Sequence, residues 1–101
     1  MITCHLRYVL KPTRLKEFEA FARRWIPLVA RFGGVHHGYL LPSEGASNIA
    51  LASFSFPSLA AYEVYRQDSM ADPDCQAAYK YAADPQCFLS CERSFFRPVF
   101  D

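Results

Sequence analysis

Residues 35–56 read VHHGYLLPSEGASNIALASFSF, two strand-like runs around a turn-rich segment, and this stretch decides the fold. Val35 to Leu41 is closed by Pro42. Ser43-Glu44-Gly45-Ala46-Ser47-Asn48 is composed of residues that favour turns, and Ile49 to Phe56 then alternates as a strand does. A hairpin is the natural connection between the two.

Upstream, Leu15, Phe18, Ala22, Trp25, Val29 and Phe32 recur in steps of three and four, with Phe21 and Leu28 widening the stripe, which predicts a long amphipathic helix ended by Gly33-Gly34. Lys11-Pro12-Thr13 introduces it, with the Thr13 hydroxyl placed to cap an orphan backbone N–H. Pro27 removes one backbone hydrogen bond, so a kink or break is expected near Arg23–Pro27. Downstream, Pro57-Ser58 starts a helix carrying Leu59, Tyr62, Tyr65 and Arg66, which fails around Met70 to Asp74. Asp72 as N-cap and Pro73 at the first helical position restart it through Cys75, Ala78 and Tyr79, and Asp84-Pro85 stops it. Ile2 to Leu10 is the first strand and Cys87 to Phe96 the last, and 97–101 is a tail.

The order is βαββαβ, and residues 1–101 are read as one domain. Both crossovers then place their helices on the same side of a four-stranded antiparallel sheet, an α+β fold of the ferredoxin-like kind. Ile2, Cys4, Leu6 and Tyr8 on the first strand, Ala50, Ala52, Phe54 and Phe56 on the third, and Leu89, Cys91 and Phe95 on the fourth suit the helix side. The opposite parity mixes His5, Arg7, Ser53, Ser55, Ser90, Glu92 and Ser94 with Thr3, Val9, Ile49, Leu51, Phe88 and Phe96. A mixed face of this kind suits pairing with a second sheet, and 51% hydrophobic with 16% aromatic residues is more apolar surface than one small core readily uses. A homodimer joined through the sheet face is the expectation.

Eleven basic and ten acidic side chains leave a formal charge of +1, with no basic run beyond Arg23-Arg24, so a nucleic-acid partner is not expected. No signal-peptide pattern and no apolar stretch of membrane-spanning length is present, which predicts a cytoplasmic protein. Cys4, Cys75, Cys87 and Cys91 match neither a zinc pattern nor a CxxC motif and are read as reduced, structural thiols.

The chemistry on offer is limited. His5, His36 and His37 titrate near neutrality when unperturbed, but no HxH or HxxxH spacing holds two imidazoles together, even with Glu92 or Glu44 as a third ligand; neither metal nor cofactor is expected. In a regular strand His36 and His37 point to opposite faces. Arg7 and Glu92 fall on one face of neighbouring strands, where a cross-strand ion pair is the plain reading. The functional reading has Arg7 anchoring a carboxylate while His5 or His37 moves a proton, with Tyr39 beside them. Tyr8, Trp25, Tyr39, Phe54 and Phe56 are candidates to line an apolar ligand pocket, against the alternative of aromatic core packing.

Several segments resemble the NIPSNAP family of dimeric α+β barrel proteins. They are Leu6-Arg7, Ile26-Pro27-Leu28, Gly33-Gly34, Gly45 and Asn48, Ser58-Leu59, Asp72-Pro73 with Gln76-Ala77-Ala78-Tyr79, and Glu92-Arg93 followed by Phe96-Arg97-Pro98. The resemblance implies a homodimer with two sheets packed face to face, and little about chemistry. Where the family often carries a His and a bulky pair in the third strand, and an aromatic after its Asp-Pro, this chain has Ala52-Ser53-Phe54 and Cys75. A role tied to that His does not transfer, and the smaller residues enlarge the space between sheet and helices. Two functions stay open: a module holding a partner or a small apolar ligand, and an enzyme without a bound cofactor, similar to the small monooxygenases and isomerases of the same superfamily.

Overall fold

The computed structural model of the chain describes residues 1–83 and 86–99. The expected helix stop at Asp84-Pro85 and the end of the tail lie outside the described residues. The elements are β1 (Ile2–Leu10), α1 (Leu15–Arg31), β2 (Val35–Leu40), β3 (Ile49–Phe56), α2 (Leu59–Ala71), α3 (Pro73–Ala83) and β4 (Phe88–Phe96). The sheet order is β2-β3-β1-β4 and every pairing is antiparallel, the ferredoxin-like arrangement that the βαββαβ order requires.

Local signals act where expected at α2 and α3. Ser58 Oγ accepts from the backbone N–H of Ala61 at 3.1 Å, and Asp72 Oδ1 accepts from those of Asp74 at 2.8 Å and Cys75 at 3.3 Å. The start of α1 differs. Thr13 is not its cap; Arg14 occupies that position without a side-chain capping bond. The break expected at Pro27 does not occur, for α1 runs unbroken through it. Phe18, Phe21, Trp25, Leu28 and Val29 are buried along one face, at roughly 1.5–3 kcal/mol each, against about 3 kcal/mol for an interior proline. Pro27 and Arg23 both lie on the exposed side, where water can serve the Arg23 carbonyl that Pro27 leaves unbonded.

At the end of α1, Gly33 and Gly34 donate their N–H groups to the carbonyls of Ala30 and Val29, both at 3.1 Å. Gly34 also answers a packing demand. A Cβ there would come within 2.7 Å of the Phe56 ring and 2.8 Å of Val29, so only glycine lets the chain pass this close to β3.

The inner face of the sheet is buried through Cys4, Leu6, Tyr8 and Leu10 of β1 and Ala50, Ala52, Phe54 and Phe56 of β3, as their alternation predicts. The outer strands depart from simple alternation. In β4, Ser90 pairs with Val9 but Phe88 pairs with Leu10, so Leu89 is an extra residue in the ladder. Phe88 rather than Leu89 therefore turns inward, edge-on to Tyr8 at 5.1 Å, while Leu89 is exposed. In β2 the register shifts between His36 and Gly38, which leaves His37 as the bulged residue. Gly38 adopts φ +100°, a left-handed conformation that side chains with a Cβ disfavour, and its N–H donates to Nδ1 of His36 at 2.9 Å.

The helices leave the inner side of β4 partly open, for Cys91, Arg93 and Phe95 are all exposed although they lie on the same face as Tyr8, Leu6 and Cys4. Cys4, Cys75 and Cys87 are buried free thiols, each pushed up by burial, the first to about 11. Cys91 is free and exposed.

Candidate functional site

A cavity of about 150 Å³ lies between the sheet and the helices. Its floor is the inner face of the sheet, with Leu6 and Tyr8 from β1, Phe54 from β3, and His36 and Tyr39 from β2. Phe21, Trp25 and Val29 of α1 wall one side, and Tyr62, Tyr65, Arg66 and Ser69 of α2 the other. Tyr79 of α3 and Cys91 and Arg93 of β4 complete it toward the open edge.

The bulge in β2 shapes this site. Regular alternation would put His36 and Tyr39 on opposite faces. The extra residue puts both inside, with the rings stacked at 4.9 Å and 20° and His36 also 5.7 Å from Phe54. Burial, then the neighbouring His37, lowers the His36 imidazole to about 4, so it is neutral at physiological pH. Its tautomer follows from the backbone: Nδ1 accepts from the Gly38 N–H, which leaves the proton on Nε2. Inside the cavity His36 is therefore a hydrogen-bond donor. Burial pushes the Tyr8 and Tyr39 phenols up, so both stay protonated.

Trp25 Nε1 is buried and has no hydrogen-bond partner among the described residues. An unpaired buried N–H costs about 1–3 kcal/mol. Among the described residues no three His, Cys, Asp or Glu side chains gather in a way that could hold a metal ion.

The residues singled out in the sequence divide between the two faces of the sheet. Tyr8, Trp25, Phe54 and Tyr39 line the cavity. Phe56 does not; it stacks on Tyr65 at 5.0 Å in the core beside Gly34. His5, Arg7 and His37 are on the open face, apart from Tyr39. There His5 meets Phe96 edge-on at 6.0 Å, and Arg7 lies 3.9 Å from Glu92 in an exposed ion pair. His37 Nε2 shares a hydrogen bond with Ser55 Oγ at 2.7 Å, and Ser55 Oγ shares another with Thr3 Oγ1 at 2.7 Å.

Four polar cavity residues escaped sequence reasoning. His36 was hidden by the bulge. Arg66 and Ser69 had a readable signal, since residues 62, 65, 66 and 69 are spaced as one helix face, and an arginine and a serine on an apolar stripe mark a site. Arg93 had one too: it interrupts the inner parity of β4 between Cys91 and Phe95.

Element order, strand pairing and register define a ferredoxin-like α+β protein, with a partly open aromatic cavity between its sheet and helices. The NIPSNAP family model matches residues 5–100, and the chain belongs to that family. Among solved structures, a NIPSNAP family protein from Agrobacterium tumefaciens superposes with a TM-score of 0.83 at 19% identity, over 97% of this chain and 92% of that one. An uncharacterized NIPSNAP domain protein from Burkholderia xenovorans gives 0.80 at 16% identity, over 98% and 95%. A putative antibiotic biosynthesis monooxygenase from Nitrosomonas europaea gives 0.75 at 9% identity, over 99% and 100%. At such identities the likeness speaks for the fold alone. No curated protein matches the sequence.

Proposed function

We propose that the protein is a homodimer, paired through the open face of its sheet, whose inner cavity binds a small, largely apolar aromatic ligand. The observation that carries this reading is the aromatic cavity between sheet and helices, lined by Tyr8, Trp25, Tyr39 and Phe54 with the neutral His36 stacked on Tyr39. A core packed to ordinary density would leave no such space beside these rings. The pairing is supported by the open face, where exposed Val35 and Phe96 lie opposite Ser55 and Thr3 of the Thr3–Ser55–His37 network and exposed Leu40 lies farther along the same face. This mixture of apolar and polar groups is what interfaces between subunits carry. Residues 1–101 act as one domain in this reading, in the cytoplasm; no helix among the described residues is long and apolar enough to cross a membrane.

A second reading has one observation in its favour. A neutral His36 that donates through Nε2 could stabilise the oxyanion of a bound, ionised substrate, as a cofactor-independent oxygenase or isomerase would need. The fold shared with the putative monooxygenase is consistent with it. His36 is not the base in such a scheme, because its lone pair is occupied by the Gly38 N–H.

Native mass spectrometry of protein purified gently from its own host, with an absorbance spectrum of the same sample, tests the proposal. The expected species has twice the chain mass plus a reproducible small-molecule adduct. A monomer, verified by light scattering at micromolar concentration, would overturn the pairing. A dimer without adduct or colour would move the assignment to a partner-binding role.

A further inference from the structure

Most arginines of the described chain have an evident partner. Arg7 pairs with Glu92, Arg14 with Glu17, Arg23 with Glu19, and Arg31 with both Asp72 and Asp74, while Arg24 lies over the Tyr81 ring at 4.3 Å. Arg66 and Arg93 differ. Like Arg97 of the tail, neither forms an ion pair among the described residues; Arg66 makes one long hydrogen bond, Nη1 donating to Tyr62 Oη at 3.4 Å, and the Arg93 side chain reaches only the Cys4 thiol. Both line the cavity, and none of its lining residues is an aspartate or glutamate.

Their placement is directional. Arg66 comes from α2 and Arg93 from β4, so they approach from different layers at the edge that the helices leave uncovered. The apolar interior and the exposed positive mouth make one amphipathic site. Burial pushes the Tyr79 phenol up, while Arg93 and Arg66 both pull the other way, so the two charges reach the same part of the wall.

We propose that the ligand is a single-ring aromatic carboxylate, its ring held among Tyr8, Trp25, Tyr39 and Phe54 and its carboxylate held at the mouth by Arg66 and Arg93. The inference rests on the preceding reading that the cavity binds a small molecule, and adds the ligand's charge and size. Size follows from volume: a cavity of about 150 Å³ accommodates one benzene-sized ring. Charge follows from the planar guanidinium fork, which matches a carboxylate in two parallel hydrogen bonds.

The test is calorimetric titration of the full chain with 4-hydroxyphenylacetate and with its neutral counterpart, 4-hydroxyphenylacetamide. The pair differs little in shape and wholly in charge. The carboxylate is expected to bind at least about tenfold more tightly at low ionic strength, an advantage that shrinks as salt is added. Arg66→Gln and Arg93→Gln should each remove most of that advantage, weakening the carboxylate far more than the amide. Both side chains are exposed, so the fold should survive, and circular dichroism checks it. Arg93→Glu should reverse the preference. Equal binding of acid and amide would overturn the inference and leave the cavity reading standing. Binding of neither at millimolar concentration would overturn both.

Discussion

The backbone N–H of Gly38 donates to Nδ1 of His36 at 2.9 Å, and this contact across two residues holds the bulge that sends Tyr39 inward and His37 outward. Gly38 adopts φ +100° and a Cβ on it would meet nothing within 4 Å, so the demand for glycine is conformational rather than spatial. Gly38→Ala should therefore destabilise the protein by about 1–2 kcal/mol, the cost of a left-handed residue with a Cβ. Gly34→Ala should cost about 1–3 kcal/mol by overpacking against Phe56 and Val29. Urea unfolding measures both. Only the Gly38 variant should also disturb the His36–Tyr39 stack, which the histidine ring shifts in an NMR spectrum report.

The lowered His36 imidazole predicts a pH dependence of stability. Its folded value of about 4 lies below the ordinary 6.5, so the unfolded chain binds more protons between those values. The stabilising contribution is complete above pH 6.5 and is lost as the pH falls toward 4. For a half-buried ring the loss should be about 2 kcal/mol, less than the full shift would give. Urea midpoints measured between pH 4 and 7 should fall accordingly, and His36→Asn, which keeps an acceptor for the Gly38 N–H, should flatten the profile. Asp72 does not confuse the reading. Its carboxyl is held below the usual value of 3.8, despite the opposing effect of burial, by the backbone N–H groups of Asp74 and Cys75 and by Arg31, so its loss comes at lower pH.

Ser55 is almost fully buried on the open side of the sheet and joins Thr3 to His37. Ser55→Ala leaves both partners without their bond and should cost about 1–2 kcal/mol. By comparison, Arg7→Ala removes an exposed ion pair with Glu92 and should change stability by no more than about 0.5 kcal/mol. Thermal or urea unfolding of the two variants side by side would show which polar contact of this face matters to the fold.

If the open face is the subunit interface, Leu51→Arg should break it. Leu51 lies on that face opposite Arg7 of β1 and Leu40 of β2. A new arginine there adds unpaired charge to a surface that pairing would desolvate. Light scattering should then give half the parent mass, with an unchanged circular dichroism spectrum. A variant of unaltered mass would place the interface elsewhere.

Much of the fold was readable because it rests on local and periodic signals. The inner parity of β1 and β3, the Ser58 and Asp72 caps, the Gly33-Gly34 stop and the α1 stripe need only neighbours in sequence, and all of them organise the structure as read. The misplacements of face within the sheet share one cause. Leu89 and Phe88 exchanged faces, and the His5, Arg7, His37 and Tyr39 group was divided, because each involves an extra residue in a ladder. A bulge reverses the parity of everything beyond it, and alternation read from one strand cannot show where its partner skips a residue.

The sequence alone determined the order of elements, the covered face of the central strands and the family, since turn chemistry and hydrophobic period act over a few residues and survive any tertiary arrangement. Tertiary structure decided the site. Gly38 φ and the β2–β3 pairing brought His36 beside Tyr39, and the span of the helices left β4 uncovered so that Arg66 and Arg93 meet at one opening. Those residues are distant in sequence and join only through strand register and the reach of packed layers, which the whole chain sets cooperatively.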